Sequence, residues 1–115
     1  MKKGVVVLTP FPFTDLSGNK IRPAVVISSS ARKGDDIIVA FISSIITEPI
    51  ETDLHLIRKE HSDFKQTGLK TDSIIKLDKL ATISKEVILG ALGSLSDSLI
   101  QMMNQKLKIA LDLNS

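Results

Sequence analysis

The apolar positions fall in short β-branched runs cut by proline, glycine and polar clusters, and only the last twenty residues change period. "KGVVVLT" predicts a strand at about residues 4–9. Pro10 and Pro12 bar its continuation as a central strand, and "FTDLSGNK" is dense in turn formers. Pro23 pushes Arg22 away from helical geometry, so "AVVISS" predicts a second strand over 24–29, apolar enough to be covered on both faces. After the turn "ARKGDD", "IIVAFISSII" predicts a third strand over 37–46. From Glu51 the chain alternates, with Thr52, Leu54 and Leu56 against Asp53, His55 and Ile57, the pattern of a strand with one wet face. "RKEHSDFKQTG" is polar, with room for a helical turn.

Strands are then expected at roughly 73–77, 80–84 and 87–93, with bulges or tight bends at Gly90 and Gly93. After the N-cap type Ser96, apolar residues fall at Leu99, Met102, Met103, Leu107, Ala110 and Leu111, which is helical spacing. Lys106 and Lys108 lie where cations suit the helix dipole. The fold class expected is mainly β, a small antiparallel barrel or strongly bent sheet capped by a helix over 97–112.

At 115 residues, without repeats or linkers, residues 1–115 are expected to form a single domain. There is no Trp or Tyr, so only Phe11, Phe13, Phe41 and Phe64 could stack on bases, and a surface built on rows of stacking rings is excluded. Absence of cysteine removes disulfides, thiolate nucleophiles and Cys-based zinc sites. The apolar run Val5 to Leu8 is too short for a signal peptide, and none approaches membrane-spanning length. A soluble, uncleaved chain is expected, compatible with the cytoplasm.

The net charge of +2 is unevenly spread. Residues 1–34 hold Lys2, Lys3, Lys20, Arg22, Arg32 and Lys33 against Asp15 alone, while 35–53 hold Asp35, Asp36, Glu48, Glu51 and Asp53 and no base. A basic first third can attract anions although the whole is near neutral.

Arg22 is the first chemical candidate. A guanidinium is a rigid fork of donors suited to charge developing on phosphate oxygens, and Pro23 with the strand behind it supplies a steady mount. Ser43 and Ser44 close "IIVAFISS", where a hydroxyl can bond a phosphate or simply end the strand. Neither stands in a G-x-S-x-G elbow. Asp72 precedes a strand, where it could orient a base or ribose or open the turn. His55 and His61 match no metal signature, and no phosphate-cradling glycine motif is present.

"KGVVVLTPFPFTDLSGNKIRPAVVIS" closely resembles the N-terminal signature of the MazF/PemK toxins of bacterial type II toxin–antitoxin systems. "IIVAFISS" and "GLKTDSIIKLDKLATISKEVILGALGSLSDSLIQMMNQKL" are similar to that family's later blocks. The resemblance implies an SH3-like barrel, a homodimer, and cleavage of single-stranded RNA without a metal or cofactor. It implies attack by the ribose 2′-OH on its own 3′ phosphate, leaving a 2′,3′-cyclic phosphate and a 5′-OH. It also implies neutralisation by a cognate antitoxin, with no membrane involved. Carried onto this chain, it assigns catalytic roles to Arg22, Ser43 and Asp72. RNA contacts fall to Thr14, Asp15, Ser17 and Lys20 of the loop, and to Ser44 and Lys70. Ser43 stands where the family usually has threonine, keeping the hydroxyl but not the methyl that limits χ1. Ala81 in "LATISK" replaces an arginine common among relatives, leaving fewer cations near an RNA groove. Two other readings are a gyrase poison of the related CcdB type, acting through its C-terminal helix, and a degenerate toxin that only binds RNA or antitoxin.

Overall fold

The computed structural model describes residues 1–10 and 20–113. Among the described residues six strands, β1 (Val5–Pro10), β2 (Ile21–Val26), β3 (Asp36–Ser43), β4 (Asp53–Leu56), β5 (Ser73–Ser84) and β6 (Gly90–Ser94), precede one α-helix, α1 (Asp97–Ala110). They form one sheet in the order β4-β5-β3-β2-β1-β6. Every neighbouring pair is antiparallel, and the sheet curls into a half-barrel.

Both faces of the central strands are buried, as their unbroken apolar runs require. On one face Val6, Val25, Ala40 and Ile42 pack with Leu54, Leu56, Ile75 and Leu77 against Leu99, Met103 and Leu107 of α1. On the other, Val7, Ala24, Val26, Ile37, Val39 and Phe41 form a second cluster, with Ala81, Ile83 and Ile88 packed against it. The helix is started by Ser96, whose Oγ accepts a hydrogen bond from the Leu99 N–H at 3.2 Å. It ends at Ala110 rather than 112, and Met102, expected on the apolar stripe, is exposed.

The segment read as two strands, 73–77 and 80–84, is one bent strand. Ile74, Ile75 and Lys76 pair with Ser43, Ile42 and Phe41, and pairing resumes at Leu80 with Ala40. Leu77, Asp78 and Lys79 are the extra residues, so the polar interruption kinks β5 instead of ending it. Its first half thereby pairs with β4 as well as β3. In β6 the register slips between Ala91 and Gly93 opposite Val7 and Val6, which makes Leu92 the bulged residue. A Cβ at Gly93 would overlap the carbonyl oxygens of Gln66 and Thr67. Glycine there lets the 3-10 turn Lys65–Thr67 lie directly against β6.

β2 begins three residues earlier than expected, so Arg22 and Pro23 lie inside the strand instead of before it. β3 stops at Ser43 rather than running to 46. These two ends shape the site.

Candidate active site

The backbone of β2 explains why the sheet opens here. Gly4 N–H donates to the Val26 carbonyl, and Ile27 N–H donates to the Ile38 carbonyl. Backbone groups alternate sides along a strand, so residues 22, 24 and 26 address β1, and 21, 23 and 25 address β3. Pro23 therefore lacks its N–H on the β3 side. The β2–β3 ladder includes Ala24↔Phe41 but does not extend to Pro23. Beyond that couple, Arg22 and Ser43 each lie two residues on, at the same rung, with the ladder open between them. Arg22 stays anchored on its other side, where it pairs with the fully buried Thr9 of β1.

The opening is a cleft of about 450 Å³. Phe41 and Ile42 line its apolar part, and Arg22, Ser43, Ser44, Thr47, Lys76 and Lys79 supply its polar groups. Three cations and no carboxylate stand among these lining residues, and Arg22 makes no ion pair with any described residue. The Ser43 Oγ accepts from the Ile45 N–H at 3.1 Å and lies 3.5 Å from the Ile45 carbonyl. The hydroxyl is thus fixed by the backbone turn through its acceptor side, while its O–H is held only weakly and can turn to a ligand oxygen. The cleft suits an anion with an apolar portion.

The other expected site residues are dispersed. Ser44 lines the cleft. Asp72 does not: its Oδ1 accepts from the Arg58 N–H at 2.8 Å and closes the loop before β5. Lys70 lines a separate hollow with Arg58, His61 and Lys65. Lys20 is exposed just ahead of β2. Thr14, Asp15 and Ser17 lie outside the described residues. His61 Nε2 lies 3.3 Å from the His55 carbonyl oxygen. Among the described residues no group of three or more His, Asp or Glu side chains could hold a metal ion.

Lys76 and Lys79 were not singled out by sequence reasoning. The signal for Lys76 was a lysine interrupting the apolar "SIIKL", two positions from Ile74 and so on the same face. Asp53 corrects the wet-face reading of its strand: it is 3% exposed, and Lys76 Nζ lies 3.0 Å from Oδ1 and 3.1 Å from Oδ2.

A curled antiparallel sheet capped by one helix, with a cleft lined by cations where two strands part, defines a small half-barrel protein. The chain belongs to the PemK-like, MazF-like toxin family of type II toxin–antitoxin systems, whose family model matches residues 2–111. A comparison with curated proteins finds no match. Among solved structures, the chain is similar to an endoribonuclease in complex with its cognate antitoxin from a mycobacterial species. That match has TM-score 0.79 and 19% identity, covering 100% of this chain and 98% of that one. It is also similar to the Mycobacterium tuberculosis toxin MazF-mt6, with TM-score 0.75 and 16% identity over 98% and 100% of the two chains. A MazE–MazF structure (Form-III) from Deinococcus radiodurans matches with TM-score 0.71 and 16% identity over 98% and 96%. At such identities these likenesses speak for the fold. Among the described residues no helix is long and apolar enough to cross a membrane.

Proposed function

We propose that the chain is an endoribonuclease toxin that cuts single-stranded RNA in the cytoplasm and is silenced by a cognate antitoxin. The observation that carries this reading is the juxtaposition of Arg22 and Ser43 across the opened rung of a cleft whose described lining residues include three cations and no carboxylate. A phosphodiester seated there places its oxygens against the guanidinium fork, with the Ser43 hydroxyl as a second donor. The ribose 2′-oxygen attacks the adjacent phosphorus, the bond to the 5′-oxygen breaks, and the 2′-hydroxyl proton ends on that leaving oxygen. The products are a 2′,3′-cyclic phosphate and a 5′-OH. Because the nucleophile belongs to the substrate, the step needs no metal-bound water.

Ile45, Ile46 and Ile50 are 72%, 47% and 49% exposed in the segment that follows Ser43. An antitoxin segment both acidic and apolar would cover these side chains and the cleft cations together, folding as it binds. A homodimer would set two Arg22 sites along one RNA. The gyrase-poison reading leaves the Arg22–Ser43 couple without a role.

Purified protein incubated with labelled single-stranded RNA in excess EDTA tests the proposal. Fragments bearing 2′,3′-cyclic phosphate and 5′-OH ends are expected. Intact RNA, or fragments with 5′-phosphate ends, would overturn it.

A further inference from the structure

We propose that Lys76 is a substrate ligand of this cleft, holding an oxygen of the phosphodiester that flanks the one being cut, and that buried Asp53 is its positioning residue. The inference rests on the ribonuclease reading and adds to it two residues outside the Arg22–Ser43 couple.

Asp53 and Lys76 face each other across the β4–β5 ladder, and Lys76 faces Phe41 across the β5–β3 ladder. All three side chains, with Ser43 two residues beyond Phe41, therefore point to one face. Ser43 itself pairs with Ile74, which makes Lys76 its diagonal neighbour, about 7–8 Å away in a typical sheet and within reach of a lysine stem. Arg22 approaches Ser43 from β2 and Lys76 from β5. Both cations line the cleft that Ser43 lines.

The ion pair is an unusual expenditure of burial. The Asp53 side chain is 0% exposed and that of Lys76 23%. A buried carboxylate is tolerated only with a close cation, and an apolar pair of similar volume is commonly at least as stable. Stability alone therefore does not account for the pair. What it does provide is a fixed ammonium. A lysine usually swings on a flexible four-carbon stem, whereas here Nζ is held by a buried carboxylate on a backbone that is itself tied down: Asp53 N–H donates to the Ile50 carbonyl and Leu77 N–H to the Thr52 carbonyl. Of the three ammonium donors, one bonds Oδ2 at 3.1 Å. Oδ1 adds a charge contact, and at least one donor remains for the cleft that Lys76 lines. Because the carboxylate keeps its grip, Lys76 can bind substrate without leaving a buried charge unpaired. That is the property of a binding residue on a rigid mount, one that contributes to holding the strand rather than to the bond-breaking step.

The test uses the full chain, a cleavable oligoribonucleotide, and the same oligonucleotide with 2′-O-methyl ribose for binding. The double variant Asp53→Asn/Lys76→Met removes both charges together and leaves no buried orphan. The expected result is a KM raised about tenfold with kcat within about twofold, the signature of lost uniform binding. The slope of log K against log salt should become shallower by about 0.7, one phosphate contact on a single strand. Asp53→Asn alone should keep the wild-type salt slope, because the cation remains, while raising KM several-fold. Lys76→Arg should retain the slope. A double variant with wild-type KM and salt slope, beside a wild type that cleaves, would overturn the assignment of Lys76. An Asp53→Asn variant with wild-type kinetics would overturn the positioning role. A wild type that neither binds nor cuts RNA would instead bring down the ribonuclease reading itself.

Discussion

Arg22 and Ser43 occupy one rung of the β2–β3 ladder, two residues past Ala24↔Phe41, at a point where no backbone pairing joins them. The gap has a chemical cause in Pro23, whose missing N–H faces β3. One residue thus does two things: it fixes φ beside Arg22, and it keeps the neighbouring strand from closing over the cleft.

Restoring that donor should therefore close the cleft. In Pro23→Val one more ladder hydrogen bond becomes available, worth about 0.5–1.5 kcal/mol. Loss of proline's restraint on the unfolded chain offsets about 0.4–1 kcal/mol of it. Denaturant unfolding is expected to show little net change in stability, while RNA cleavage falls clearly. A variant that cuts RNA as well as wild type would show that the opening does not depend on the missing donor.

Arg22→Ala tests the guanidinium. Removing a donor aimed at developing charge typically costs about 10²–10³-fold in kcat. Arg22 is only partly buried and makes no ion pair with described residues, so its loss should leave the unfolding midpoint nearly unchanged. Single-turnover cleavage together with thermal unfolding separates the two effects. Near wild-type turnover would remove Arg22 from the mechanism.

Ser43 can be varied in both directions. Ser43→Ala removes the donor and the bond to the Ile45 N–H, which caps the end of β3. About tenfold lower kcat and a stability loss of about 0.5–1.5 kcal/mol are expected. Ser43→Thr keeps the oxygen and limits χ1, so it should cleave at least as well as wild type. A threonine variant weaker than the alanine variant would show that the hydroxyl has no part in the reaction.

The parts of this arrangement differed in how far they could be read from the residues. Arg22, Pro23 and the apolar run after them mark a cation mounted on a buried strand. That it lies inside the strand depends on the register with β1, which local propensity does not carry. The strand character of 73–84 was legible, but the bend was not. "LDK" reads as a stop, and it becomes a bulge only because both halves have β3 to pair with. Asp53 was placed on a wet face because alternation alone assigns polar residues to solvent. Its burial is decided by a lysine 23 residues away that no local window contains. For Asp72 the residues left two readings open, orienting a base or ribose or opening the turn, and its oxygen accepts from the Arg58 N–H, a long-range contact that no local window contains.

A close approach between two backbone segments gives a prediction about stability. A Cβ on Gly93 would overlap the carbonyl oxygens of Gln66 and Thr67, which are backbone atoms with no rotamer to change. The 3-10 turn that carries them also holds the fully buried Thr67, whose Oγ1 donates to the Phe64 carbonyl at 2.7 Å. It cannot shift without disturbing that bond and the core residue Phe64. Gly93→Ala should therefore destabilise the chain by about 1–3 kcal/mol, the usual range for overpacking. Gly90→Ala, in the same strand, meets nothing within 4 Å and should stay close to wild type. Urea unfolding of the two variants side by side measures the difference. Equal midpoints would mean that β6 and the turn separate freely, and that the close contact between them contributes nothing to holding the half-barrel together.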